Sequence, residues 1–165
     1  MAGGFHTLAV TTLGLALTVD VFVRDGVGLP PGLVDEAKVA ASRCFERAGV
    51  EIVWLAATDT EGRRGFYTVR VEDQGAGELG SAAIGTRIAT VFYRRIVQVT
   101  RAADGNLAAV LGHAMAHEIG HLLLGTTAHS ASGIMRAQID VPAAAQGRLL
   151  FSEADARAIR RRLER

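Results

Sequence analysis

Two histidines, His117 and His121, stand four residues apart inside a long apolar segment of this 165-residue chain. Asn106 is a suitable N-cap and Gly125 has the backbone freedom that ends helices, so one helix is predicted over residues 107–124. Residues four apart in a helix lie on one face, about one turn apart along the axis. The two imidazoles can therefore converge on a single metal ion.

A carboxylate accompanies the histidine pair, in the order His-Glu-Ile-Gly-His. Neutral imidazole nitrogen is a good ligand for Zn2+, which we predict as the cofactor. Glu118 follows His117 directly, so its carboxylate points beside the metal rather than at it. That is where a general base must lie to accept a proton from a zinc-bound water. The spacing thus indicates a zinc-dependent hydrolase with Glu118 as the catalytic residue.

A catalytic zinc site needs a third protein ligand and one open position. His129 is the favoured candidate, eight residues after His121, because Gly125 can end the helix and let the chain double back. Glu153 is the rival, as a carboxylate from a later helix. It directly follows Ser152, however, and this helix-cap position explains it without a metal.

Residues 117–135 resemble the signature of the metzincin metallopeptidases, which combine a histidine–glutamate helix, a glycine turn, a third histidine and a methionine-bearing turn. The pair His129-Ser130 and the run up to Met135 are most similar to the matrixin version. The resemblance implies that Glu118 is the base and that Met135 is the Met-turn residue beneath the metal. It also implies three metal ligands: His117, His121 and His129.

The spacing departs from the usual metzincin pattern, which has the glycine three residues after the second histidine and the third ligand six after it. Those positions hold Leu124 and Thr127, and Gly125 and His129 are displaced by one and two residues. This indicates a slightly longer helix and a wider turn, as in a divergent bacterial branch. Residues 49–55 and 113–136 also resemble a group of small bacterial proteins of this type.

The fold class implied is α+β, a metzincin-like zinc-protease fold. It has a small mixed sheet packed on helices, the active-site helix, a Met-turn and a C-terminal helix. The pattern of apolar residues, prolines and glycines predicts strands at residues 17–23, 50–55, 66–71 and 88–93. Further helices are predicted after Pro30-Pro31 and after Ser152. We predict loops at 58–65 and 73–80 and irregular structure at 128–146, whereas 84–87 and 94–99 stay undecided.

The length suits one domain, and we predict a single catalytic domain over residues 17–165. Residues 1–16 form either a signal-like or a loosely ordered segment. The stretch 8–17 is apolar enough for a signal peptide, but no Lys or Arg precedes it and no clear cleavage site follows. It is too short to span a bilayer. The resemblance favours a secreted or periplasmic location over a cytoplasmic one.

Charge and cysteine content exclude several other classes of protein. A formal net charge of +1 argues against nucleic acid as a partner, because phosphate binding needs a strong basic excess. Cys44 is the single cysteine, so no intrachain disulfide or Cys-rich metal site can form, and a buried thiol is predicted. His113, one turn before His117, is interpreted as structural, since a fourth ligand would close the site.

The function predicted is zinc-dependent hydrolysis of peptide bonds in a peptide or protein substrate, by a Glu-activated zinc-bound water. In the metzincins the substrate lies antiparallel to an edge strand, which we expect within residues 83–93. Two alternatives stay open: a non-catalytic zinc-containing binding module, and a zinc hydrolase of a non-peptide amide. Intact Glu118 argues against the module, because a structural zinc needs no base.

Overall fold

The computed structural model describes residues 17–165, so the predicted N-terminal segment 1–16 lies outside the described residues. The strands are β1 (Leu17–Asp25), β2 (Val50–Leu55), β3 (Tyr67–Glu72), β4 (Gly80–Ala83) and β5 (Ile88–Phe92). The helices are α1 (Leu33–Arg47), α2 (Tyr93–Ala102), α3 (Leu107–Leu124), α4 (Val141–Ala145) and α5 (Glu153–Leu163), with a short 3-10 helix at Ala57–Thr60.

The five strands form one mixed sheet in the order β2-β1-β3-β5-β4. Strand β1 pairs in parallel with β2 and β3, and β3 pairs in parallel with β5. The short strand β4 is antiparallel to β5 and forms one edge. Alternate residues such as Val21, Val69 and Val91 are fully buried on the face that the helices cover. The predicted mixed sheet packed on helices is thereby confirmed.

Helix α3 is the centre of the fold and contacts α1, α2, α4, α5 and the strands β3, β4 and β5. Its mean hydropathy of 1.3 over 18 residues would suffice, by length and composition alone, to cross a membrane. However, 83% of this window is buried inside the fold, as expected of a core helix. Helix α1 approaches it closely at Gly112, where a Cβ would lie 2.4 Å from the carbonyl oxygen of Ala37.

Helix α5 brings two arginines to the carboxyl ends of other helices. Arg160 donates from Nη1 to the carbonyl oxygen of Ala48, which caps α1. The guanidinium of Arg162 lies against Gly125, the cap of α3, where a Cβ would meet Nη2 at 2.4 Å. Cations are favourable at helix C-termini because the last carbonyls carry partial negative charge. Arg160 and Arg162 therefore connect α5 to the ends of α1 and α3.

Three short elements differ from the sequence-based expectation. The undecided residues after β5 form α2, whose buried residues Ile96 and Thr100 stand four apart as on one helical face. The predicted loop 73–80 ends in β4, which has the small-residue sequence GSAA and so gives no strand signal. Within the predicted irregular stretch, α4 forms because Asp140 caps it and Pro142 occupies its first turn.

Candidate metal centre

Helix α3 places His117 and His121 next to each other in the interior. Each is only 5% exposed, and their Nε2 atoms lie 3.0 Å apart. Nδ1 of His117 lies 2.7 Å from the carbonyl oxygen of Ile134, and Nδ1 of His121 lies 2.8 Å from that of Thr126. Both carbonyls belong to the segment that follows α3, so this segment orients both rings.

These contacts fix the tautomers of the two rings. A carbonyl oxygen only accepts hydrogen bonds, so each Nδ1 carries the proton and each Nε2 presents a lone pair. Burial is the main reason that the pKa of His117 falls to about 4, and the neighbouring His121 and His129 lower it further. Burial also lowers the pKa of His121. Two neutral acceptors facing each other at 3.0 Å repel unless a cation lies between them. Two nitrogens bound to one tetrahedral zinc stand about 3.3 Å apart, close to this distance.

His129 completes a group of three imidazoles whose ligand nitrogens all lie within 4.8 Å of one another. Its ring centroid lies 5.4 Å from that of His117 and 4.9 Å from that of His121. The chain turns at Gly125, which caps α3 in the left-handed conformation with φ 65°. The wider turn predicted from the spacing therefore still returns His129 to the other two histidines. Unlike them, His129 is exposed to solvent.

The three imidazoles fit a Zn2+ ion. Neutral imidazole is among the ligands that zinc prefers, and three protein ligands leave a position open, as in catalytic zinc sites. Hydrogen bonds from a ligating histidine to a carbonyl raise the basicity of its other nitrogen and hold the ring. His117 and His121 both have such a partner.

Met135 packs against α3, the helix that carries His117 and His121. It is fully buried, and a Cβ at Gly120 of α3 would lie 2.6 Å from its sulfur and 2.9 Å from the ring of Phe151. Gly120 thus lets the methionine lie directly against the helix between the two histidine positions. The residue before Met135, Ile134, supplies the carbonyl oxygen that accepts from Nδ1 of His117, so this segment contacts the histidines directly.

Glu118 lies between α3 and the edge strand β4. It is 5% exposed, and burial raises its pKa to about 8, with a further contribution from the nearby Glu78 carboxylate. A divalent cation beside it would favour the ionised form and lower this pKa. Its side chain rests on Gly80, where a Cβ would lie 2.7 Å from Cγ and 2.8 Å from Oε1.

A cleft of about 610 Å³ opens over the histidines and Glu118. One wall is the segment from Gly77 to Ala82, which includes most of β4. The expectation of an edge strand within residues 83–93 is therefore wrong by one strand: those residues are mostly β5, which lies between β3 and β4. The remaining cleft walls are Arg95, Val99, Thr127, Ala137, Gln138, Ile139 and Val141.

The other candidate residues lie apart from this group. The Glu153 side chain is 87% exposed, with Arg157 at 3.7 Å, and it does not join the three histidines. His113 is 2% exposed, and its Nδ1 donates to the carbonyl oxygen of Ala109 at 2.7 Å. Cys44 is 1% exposed and burial raises its pKa to about 12, which confirms the predicted buried thiol.

Sequence reasoning missed Gly80 and Glu78, which come to the site from a glycine-rich stretch predicted as a loop. No local signal marks them, because their proximity to Glu118 depends on the β4–β5 pairing. It also missed Asp155, which contacts the loop that carries His129. The only sequence signal there is its place in the first turn of a capped helix.

No protein-family model matches the chain, and no curated protein sequence matches it. The crystal structure of archaemetzincin from Methanopyrus kandleri is similar, with TM-score 0.58 and 16% identity, covering 93% of this chain and 99% of that one. A zinc-dependent peptidase from Methanocorpusculum labreanum has TM-score 0.59 and 14% identity, covering 86% and 99%. The chain therefore shares its fold with archaemetzincin-type zinc peptidases.

Proposed function

We propose that the protein is a zinc metallopeptidase that cleaves internal bonds of peptides or proteins. The observation that carries the proposal is the placement of Glu118. Its buried carboxylate lines the same cleft as the three imidazoles and lies against the edge strand β4. A general base, a metal-binding group and an edge for main-chain pairing thus meet in one cleft.

The residues would act in a defined order. An extended substrate pairs its main chain with β4, as peptides do with exposed sheet edges, and its scissile carbonyl then lies over the histidines. His117, His121 and His129 would hold the zinc, which when bound supplies Lewis acidity to the carbonyl and to the attacking water. Glu118 accepts a proton as the water oxygen bonds to the carbonyl carbon, and then passes it to the amine as the C–N bond breaks.

The finer assignment to a metzincin-like, matrixin-like enzyme is also part of this proposal. It is supported by the turn at Gly125, by the buried Met135 and by the carbonyl of Ile134 that orients His117. The likeness of fold to archaemetzincin is consistent with it. The same proposal assigns the catalytic role to Glu118 and metal ligation to the three histidines.

The two alternatives make different predictions about the same cleft. In a non-catalytic zinc module, loss of Glu118 would leave the function of the protein unchanged. Against this alternative, burying a carboxyl group lowers the stability of the fold, and a buried carboxyl group with a raised pKa is typical of functional sites. A hydrolase of a non-peptide amide would need Glu118 but not an extended edge strand. The cleft of about 610 Å³ is lined by Gly80, Ser81 and Ala82 of β4, an edge strand with which an extended peptide can pair.

The test measures bound zinc per chain and cleavage of a mixed peptide library in three proteins. We expect wild type to bind one zinc and to cleave peptides. Glu118→Ala should keep its zinc and lose cleavage, whereas His129→Ala should bind zinc much more weakly. Zinc retained at full affinity by His129→Ala would refute that ligand, and a zinc-loaded wild type that cleaves no peptide would favour an alternative.

A further inference from the structure

His129 is held differently from the two histidines of α3. His117 and His121 are buried on a helix, and each Nδ1 is bound by a carbonyl oxygen. His129 is exposed, lies on a loop, and its ring makes no hydrogen bond to a carbonyl or carboxylate among the described residues 17–165. An exposed loop side chain loses conformational freedom when it binds a metal, and this loss weakens binding. Contacts that already fix the loop backbone in the metal-free protein would reduce that loss.

The adjacent Ser130 is fastened at two points. Its backbone N–H donates to the carbonyl oxygen of Met135 at 2.8 Å, which closes the loop on itself. Its hydroxyl donates to Oδ1 of Asp155 at 2.7 Å, across 25 residues of sequence. The second contact ties the loop to helix α5, which belongs to the packed core through its contacts with α3.

Asp155 is itself a fixed acceptor. It is 8% exposed, and its Oδ2 accepts a 2.6 Å hydrogen bond from the hydroxyl of Ser152. The backbone N–H of Asp155 donates in turn to the hydroxyl oxygen of Ser152 at 3.1 Å. It lies in the first turn of α5, where the helix dipole favours a carboxylate. Hydrogen bonds to an ionised acceptor are stronger than neutral ones. Losing the Ser130 hydroxyl would leave a buried carboxylate oxygen without this donor.

We propose that Ser130 and Asp155 are positioning residues that hold His129 in reach of the metal. This inference rests on the zinc site of the proposed function. Groups that orient metal ligands commonly account for 10-fold to 100-fold in metal affinity. We expect Ser130→Ala to weaken Zn2+ binding by roughly that factor. Ser130→Thr, which keeps the hydroxyl, restores it.

The matched control is Ser42→Ala. It removes a serine hydroxyl that accepts from the indole N–H of Trp54 at 2.9 Å, in a contact between α1 and β2 that involves neither the His129 loop nor α5. It should lower the melting temperature by a few degrees through the lost hydrogen bond and leave zinc affinity near that of wild type. Asp155→Asn changes the acceptor of the same hydrogen bond that Ser130→Ala removes. The amide has one acceptor oxygen for the hydroxyls of Ser130 and Ser152, so we expect an intermediate loss of zinc affinity.

The experiment titrates Zn2+ against a chromophoric chelator for these variants, for His129→Ala and for the double variant His129→Ala/Ser130→Ala. If Ser130 acts through His129, its removal has no further effect once His129 is gone. A loss of equal size in both backgrounds would overturn the inference, as would wild-type affinity in Ser130→Ala. Failure of the proposed function gives a different result, in which His129→Ala itself binds zinc like wild type.

Discussion

Replacing Gly80 by alanine tests whether β4 positions the carboxylate of Glu118, the proposed general base. The strand backbone at Gly80 accepts a side chain, but the new Cβ would lie 2.7 Å from Cγ and 2.8 Å from Oε1 of Glu118. Ordinary carbon contacts are about 3.5–4.0 Å, so the carboxylate must move by about 1 Å. The Cβ would also lie 2.7 Å from the carbonyl oxygen of Thr90, a strand atom held by the β4–β5 pairing. Moving Glu118 does not relieve this second contact, so the backbone of β4 must shift as well, and both changes alter where the carboxylate lies.

A 1 Å misplacement of a reacting group can cost about 100-fold in rate, which corresponds to about 2.7 kcal/mol in the activation barrier. We expect kcat/KM of Gly80→Ala for a cleaved peptide to fall by about this factor. Bound zinc should stay at one per chain, because the nearest atoms to the new group belong to Glu118 and Thr90. Ala83→Ser, at the exposed end of the same strand, is the control. Wild-type activity in Gly80→Ala, or loss of zinc together with activity, would refute the reasoning.

Three further results are expected. Gly120→Ala should lower the free energy of unfolding by about 1–3 kcal/mol, measured by urea denaturation, because its Cβ meets the Met135 sulfur at 2.6 Å; an unchanged midpoint would contradict close packing there. Cys44, whose pKa burial raises to about 12, should resist alkylation in native protein at pH 9 yet react in denaturant, where its pKa returns to about 8.5; rapid native labelling would contradict the burial. Chelation should abolish hydrolysis and lower the melting temperature, since zinc at 100 times its Kd adds about 2.7 kcal/mol to stability; an unaltered melting curve would argue against the site.

The predictions that succeeded from sequence were those with a short-range cause. The positions of His117 and Glu118 relative to each other are set by helix geometry, and the helix bounds by Asn106 and Gly125 match α3. Asn106 accepts from the N–H of Ala109 at 2.8 Å, as its cap position predicts. Local rules of this kind act within a few residues and need no knowledge of the rest of the fold.

What the sequence did not predict depends on pairings between distant segments. Strand β4 has only small residues, and it is a strand because β5 supplies its hydrogen-bond partners. The edge strand beside the cleft is therefore Gly80–Ala83 and not a strand within the expected residues 83–93. Likewise, the contact between Ser130 and Asp155 joins a loop to a helix 25 residues later, and neither residue type signals it.

The last helix has a consequence for the order in which the protein matures. Asp155 holds the His129 loop, the carbonyl oxygen of Leu150 accepts from Ile134 at 2.8 Å, and Arg162 covers the end of α3. Ribosomes release a chain from its N-terminus onward, so residues 107–135 emerge before the segment that secures them. The three histidines therefore emerge before Asp155, and we expect the loop that carries His129 to reach its final position only after α5 has docked.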